Sequence, residues 1–233
     1  QAIDTMLDPE TCGPAFLSLP QDIQGVAYDF PEVFFEEKIH RIRRPEPELA
    51  DLEDAKAALM KAEKPLIISG GGVHYSLATD ELKAFAEKHN IPVVETIAGR
   101  ATMLQDNPLN AGPIGVTGSD SANYMAAHAD VVLAIGTRLQ DFTTGSWSVF
   151  RNPDMKLIAM NVARFDAIKH RALAVKCDAQ RGMAQLSQLL GDWRSSDDWA
   201  STAKAQADEW KAVVQRRTNP QEGDLLPGMS SYA

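Results

Sequence analysis

Lys64-Pro65-Leu66-Ile67-Ile68-Ser69-Gly70-Gly71-Gly72 is the stretch on which the fold turns. An apolar run of strand length ends in three glycines, the form of a strand buried on both faces rather than one alternating between core and solvent. The same form recurs downstream in Pro92-Val93-Val94-Glu95-Thr96, in Val131 to Ile135 stopped by Gly136, in Lys156 to Met160 and in Ala172 to Val175. Between these runs the spacing changes to that of helices. Leu49, Leu52, Ala55 and Leu59 precede the first strand, and Leu82, Phe85 and Ala86 share one face of a helix that Thr79 can cap. Another helix starts at Ser119 or Asp120 and reaches about His128, and Met183, Leu186, Leu189 and Leu190 give a closing one. Strands that are apolar throughout need helices on both faces. The pattern predicts an α/β domain with a doubly wound parallel sheet over residues 46–192.

The flanks read differently. Gly13 to Pro20 predicts one short strand with no local partner, and Pro31 to Pro47, rich in proline and charge, a linker. Past Trp193 a helix carries Trp199, Ala203, Ala207, Trp210 and Val214 on one stripe, with Asp197 and Asp198 at its start and Arg216 and Arg217 at its end, as the helix dipole favours. Residues 219–233 turn polar without a closing element. An orphan strand before the domain and an unfinished segment after it suggest a piece of a larger protein.

Composition removes several function classes. With 44% hydrophobic and 24% charged residues the chain has the make-up of a globular protein. No apolar run approaches the ~20 residues that span a bilayer. Gln1 to Leu7 lacks the basic-then-apolar layout of a secretion leader, so a cytoplasmic location is expected. The formal charge of −9 argues against nucleic-acid or anionic-membrane partners. Lys38, Arg41, Arg43 and Arg44 follow Glu36 and Glu37 and read as a solvated connector. Cys12 and Cys177 form no C-x-x-C pair, and both are expected as free thiols, Cys177 in the core.

Ligands of an open parallel sheet bind beyond the carboxyl ends of its strands, where the strand order reverses. Candidate contacts therefore lie in Gly70, Gly71 and Gly72, in His74 just after them, and in Arg138 and Asp141 after the third run. Glycines there admit a phosphate close to backbone N–H groups, or simply make the strand-to-helix turn. Tyr75 stands where the dinucleotide fingerprint needs its third glycine, and Glu95 stands where a ribose-binding acid would. Gly112, Gly115 and Gly118 can present N–H donors to an anion or supply positive φ angles. Arg138 offers a fork for phosphate or carboxylate, and Asp141 can hold it in an ion pair or accept from a hydroxylated ligand. His40, His74, His89, His128 and His170 have no metal-ligand spacing. No independent catalytic constellation is present.

The ordered series Lys64 to Ile67 with Gly70 to Gly72, Ile91 to Thr96, Pro108-Leu109, Gly112, Gly115, and Ala129-Asp130-Val131-Val132 to Gly136-Thr137-Arg138 resembles the central domain of thiamine-diphosphate enzymes. The resemblance covers about 150 residues. Gly72 to Ser76, Gly136 to Trp147 and Phe165 to His170 are most similar to the trihydroxycyclohexane-1,2-dione hydrolases of myo-inositol catabolism within that group. It implies a Rossmann-like central domain at 46–192, preceded at 1–45 by the tail of a pyrimidine-binding domain and a linker. Residues 193–233 would be a linker helix and the lead-in to a pyrophosphate-binding domain. The family's Gly-Asp-Gly with a downstream Asn, which holds magnesium and diphosphate, is not in this chain: Gly191-Asp192 continues to Trp193, and Gly223-Asp224 to Leu225. By the resemblance, thiamine diphosphate and magnesium serve an intact, homo-oligomeric hydrolase that opens a ring C–C bond of a small-molecule dione. Both would be held by domains outside this chain, FAD is not expected, and the chain alone is expected to be inactive. A nucleotide-binding module for ADP, FAD or NAD, or the central domain of an acetolactate-synthase-like carboligase, is the competing expectation. Tyr75, and Asn161 where many relatives carry an acid, weaken the nucleotide reading.

Overall fold

A computed structural model describes residues 1–218, so the lead-in read at 219–233 lies outside the described residues. The chain divides into two units, Gln1–Arg44 and the residues from Pro45 on. The first holds one six-residue helix, α1 (Ala2–Leu7), and two 3-10 turns, Ile23–Gly25 and Glu32–Phe35. His40 Nδ1 meets Asp4 Oδ1 at 2.7 Å and ties α1 to the connector. The strand expected at Gly13 to Pro20 does not form, and Phe16 stays 91% exposed. A lone extended segment gains nothing from strand geometry without a neighbour to complete its hydrogen bonds.

The second unit is the wound sheet. Its order of elements is α2 (Leu49–Leu59), β1 (Pro65–Ser69), α3 (Gly71–Tyr75), α4 (Thr79–His89), β2 (Val93–Glu95), β3 (Asn110–Pro113), α5 (Asp120–His128) and β4 (Val131–Ile135). Then follow α6 (Asp141–Thr144), β5 (Lys156–Asn161), α7 (Arg164–Ala167), β6 (Leu173–Lys176), α8 (Ala179–Leu190) and α9 (Asp197–Thr218). Six strands lie in the order β3-β2-β1-β4-β5-β6, all parallel. The chain builds outward from β1 to β3, then returns to set β4 against the other side of β1. That return makes the order switch between β1 and β4.

Alternate residues of each strand feed two separate cores. Ile67, Leu133, Ile135 and Ile158 pack with Leu52, Phe85, Met183 and Leu186 on one face. Leu66, Ile68, Val132 and Ala134 pack with Met125 and Trp199 on the other. All five residues of β1 and all five of β4 are buried, as continuous apolar runs require.

Two details depart from expectation. β3 has no apolar run to announce it: Asn110-Ala111-Gly112-Pro113 pairs with β2 along one edge, and Pro113 is tolerated because an edge strand needs no donor on its outer side. Thr79 is the first residue of α4, not its cap; the cap position is Ala78. On the stripe of α9, Trp199 is buried and its Nε1 donates to the Pro65 carbonyl at 2.8 Å. Ser119 does cap α5, accepting from the Ala122 N–H at 3.1 Å. Among the described residues no helix is long and apolar enough to cross a membrane.

Candidate functional site

At the order switch the loops after β1 and β4 are in backbone contact. The Gly70 N–H donates to the Ile135 carbonyl at 2.9 Å and the Gly72 N–H to the Gly136 carbonyl at 2.8 Å. A Cβ on Gly70 would stand 2.4 Å from the Gly136 oxygen, and one on Gly72 would stand 2.5 Å from the Gly136 Cα. Gly136 itself has φ +60. Glycine is therefore required here so that two loops of the chain can touch. With two of the three N–H groups bonded inside the protein, the Gly70 to Gly72 turn joins two loops, and any ligand must lie over it rather than within it.

The polar candidates around this contact hold the loops in place. His74 Nε2 lies 2.8 Å from the Arg100 carbonyl, which can only accept, so this nitrogen carries the proton. Glu95 is 4% exposed, and its Oε1 accepts from the Met103 N–H at 3.0 Å. Thr102, beside it, receives the Ser69 hydroxyl at 2.7 Å and donates to the Gly99 carbonyl at 2.8 Å. The acid placed for a ribose thus pins the turn after β2. The N–H groups of Gly112 and Gly115 go to Asn110 Oδ1 at 2.9 Å and Asn123 Oδ1 at 3.0 Å. Their φ angles are +98 and +113, so positive φ, not anion presentation, accounts for these two glycines.

The segment after β4 is the open part of this edge. Arg138 is exposed and its guanidinium meets Gln140 Oε1 at 3.3 Å, not Asp141. Asp141 opens α6 and accepts the Ser146 hydroxyl at 2.8 Å. Phe142, Val116 and Ile97 are exposed at the same ends of the strands. Asn161, where an acid was noted to be missing, is engaged by both ends: its Nδ2 donates to the Thr137 carbonyl at 3.1 Å, and its Oδ1 accepts from the Ala163 N–H at 3.0 Å. Sequence spacing brings Gly70 to Gly72 and the start of the Arg138 segment together, while His74 is bonded on the β2 side. It gave no sign of one feature: Trp147 and His170 stack with ring centroids 4.2 Å apart and planes at 25°.

Chemically this edge is a wall. No group of three or more His, Cys, Asp or Glu side chains could hold a metal ion among the described residues. Cys177 is a buried thiol whose pKa burial pushes up to about 12, so it is no nucleophile. His89, also buried, is held below the usual imidazole range by that burial, and both its nitrogens are bonded within the protein.

Comparison with known proteins assigns the wall to a family. The family described as "Thiamine pyrophosphate enzyme, central domain" matches residues 52–186. A protein of Clostridium tetani named 3D-(3,5/4)-trihydroxycyclohexane-1,2-dione hydrolase is 40% identical over 233 residues, covering 99% of this chain and 36% of the relative. Proteins of the same name from Clostridium perfringens and Geobacillus thermodenitrificans are 43% identical over 222 and 195 residues, covering 94% and 84% of this chain and 34% and 30% of the relatives. The chain spans about a third of the length of the curated relatives it matches. With the expected doubly wound parallel sheet and a family match over more than half its residues, the chain belongs to the thiamine pyrophosphate enzymes, of which it carries the central domain.

Proposed function

We infer that this chain is the central-domain part of a thiamine-diphosphate-dependent hydrolase that opens the ring of 3D-(3,5/4)-trihydroxycyclohexane-1,2-dione by cleaving a C–C bond. The observation that carries this reading is identity of 40–43%, running through nearly the whole chain, to relatives bearing that name. In this reading residues 1–45 are the tail of a pyrimidine-binding domain with its linker, 46–192 the central domain, and 193–233 a helix and the lead-in to a pyrophosphate-binding domain. The intact enzyme is a cytoplasmic homo-oligomer using magnesium.

The described residues do not fit thiamine diphosphate. A magnesium-bound diphosphate needs clustered oxygen ligands, and no metal-holding cluster stands among them. Two of the three N–H groups of the glycine turn are also bonded internally. In this reading the coenzyme is held outside the described residues, where it supplies the chemistry of C–C cleavage. This domain's role is to close one side of the reaction site with the ends of β1, β2 and β4, including Gly70, Gly71, Gly72, His74, Arg138 and Asp141.

A chimera tests the assignment. The segment of the Clostridium tetani relative aligned with this chain is replaced by these 233 residues, and dione ring opening is assayed with thiamine diphosphate and magnesium. The chimera should retain activity, and the 233-residue chain alone should show none. A folded chimera that binds the coenzyme yet leaves the dione intact would overturn the reading, as would turnover by the isolated chain.

A further inference from the structure

Among the described residues eight non-glycine residues have positive φ, and five of them lie in the two segments that follow β4 and β5: Leu139, Ser146, Trp147, His170 and Arg171. A backbone in the left-handed region costs free energy for a side chain as large as tryptophan, and persists only where surrounding contacts over-determine it. Those contacts are visible. The Trp147 N–H donates to Thr144 Oγ1 at 3.2 Å, and its ring packs on the edge of the second core, meets Phe150 at 4.9 Å and stacks on His170. His170 sits on a braced segment, with Lys169 paired to Asp166 and its Nζ 4.5 Å from the Phe165 ring centroid.

The segment from Gly136 to Trp147 is thus fixed on both sides. Toward β3, the Val116 N–H donates to the Phe142 carbonyl at 2.9 Å, and Gly115 approaches so closely that a Cβ there would lie 2.3 Å from the same oxygen. Toward β6, Asn161 holds the Thr137 carbonyl and His170 holds the Trp147 ring. Among the side chains this segment presents to solvent are those of Arg138 and Phe142, at the strand ends where a ligand of such a sheet lies.

We propose that Trp147 and His170 are positioning residues: their stack locks the Gly136 to Trp147 segment in the one arrangement that presents Arg138 and Phe142 to the ligand. The stack needs a flat ring from each segment, which neither an aliphatic residue nor alanine supplies. The ligand part of this inference rests on the functional reading above, while the locking part does not.

Trypsin separates the two. The Arg138–Leu139 bond is shielded by Leu139, which is 5% exposed, so cleavage there requires the segment to open. In the 233-residue chain, Trp147→Leu and His170→Ala should each raise the rate of that cut about three- to tenfold, the range an aromatic pair supplies. Trp147→Phe and His170→Phe should stay within about twofold of the parent. In the chimera, Trp147→Leu and His170→Ala should raise KM for the dione by the same factor with kcat nearly unchanged, and the phenylalanine variants should restore it. His170 is exposed, so His170→Ala keeps the fold if Trp147→Leu does not. Unchanged cleavage in His170→Ala overturns the lock. Faster cleavage with KM unmoved in an active chimera overturns the ligand role. A parent chimera that folds, binds the coenzyme and fails to turn over the dione removes the functional reading and the ligand role with it, leaving the lock to stand or fall on trypsin.

Discussion

Residues 1–44 and the wound sheet contain the same apolar side chains and treat them in opposite ways. In the first unit Phe16, Tyr28, Phe34 and Phe35 are 91%, 70%, 65% and 73% exposed, and no residue is buried. Several rings there lie against one another: Phe30 is 5.1 Å from Tyr28 and 4.9 Å from Phe34. In the sheet Phe85 is 2% exposed, and Leu52, Ile67 and Leu133 are fully covered. Apolar content is not what separates the two. The sheet has periodic elements that set apolar faces in layers, whereas residues 1–44 have one short helix and two turns, so no face is repeated often enough to meet another. Each unit also carries a cysteine, a glycine and a histidine that probe the difference.

The thiols should show the largest effect. Cys12 is exposed and Cys177 is buried, with its pKa pushed up to about 12. Alkylation needs an accessible thiolate, and reaching Cys177 requires opening a domain whose stability is on the order of 5 kcal/mol or more. With iodoacetamide near pH 8, Cys12 should react at once and Cys177 at least about a thousandfold more slowly, until denaturant is added. Peptide mapping over time reads both. Comparable rates would mean that the sheet is no better protected than residues 1–44.

Glycine substitution comes next. Gly136 has φ +60, and a Cβ on it would lie 2.6 Å from the Gly72 Cα, so Gly136→Ala combines backbone strain with a clash between two loops. The expected loss is about 3–5 kcal/mol in denaturant unfolding, or failure to fold. Gly25 has nothing within 4 Å of the same added atom, and Gly25→Ala should stay within about 0.5 kcal/mol of the parent. A mild Gly136→Ala would show that the contact at the order switch is looser than described.

The same contrast explains what could be read without coordinates. The runs at Pro65, Val131 and Lys156 were recognisable because burial on both faces leaves their central residues, Leu66 to Ile68, Val131 to Ile135 and Leu157 to Met160, all apolar. Asn110-Ala111-Gly112-Pro113 was not, because an edge strand needs only a partner's hydrogen bonds, and those leave no mark on composition. Thr79 looked like a cap because its type is right, but a cap is a geometry and Ala78 occupies it. At the candidate site, the glycines at the strand ends were legible as a place and not as a role. Whether an N–H faces a phosphate or a neighbouring carbonyl depends on a second loop some 65 residues away, at Gly136. Trp147 and His170 stood in two segments whose sequences resembled the hydrolases, yet no local spacing says that rings 23 residues apart will stack.

The histidines give the smallest and most specific test. His89 Nδ1 donates to the Trp193 carbonyl at 2.7 Å, and Nε2 lies 2.9 Å from the Ser187 hydroxyl, so both nitrogens are used. Burial holds its pKa below the ordinary 6.5; the bond to Trp193 opposes this and nearby Lys88 adds to it. The unfolded chain therefore takes up this proton at a higher pH than the folded one. Stability is full above about 6.5, falls as pH drops through that value, and levels off once the folded ring is also protonated. In the first unit the direction is the same, but the group is a carboxyl and the window lies at lower pH. Asp4, fully exposed beside His40, is held below 3.8 chiefly by their hydrogen bond, so its contribution is lost only in acid, as pH falls through the lowered value. Between pH 7 and 5.5 the parent should lose melting temperature, His89→Gln should lose less, and His40→Gln should track the parent. If His40→Gln flattened the profile and His89→Gln did not, the pH-dependent stability would belong to residues 1–44 after all.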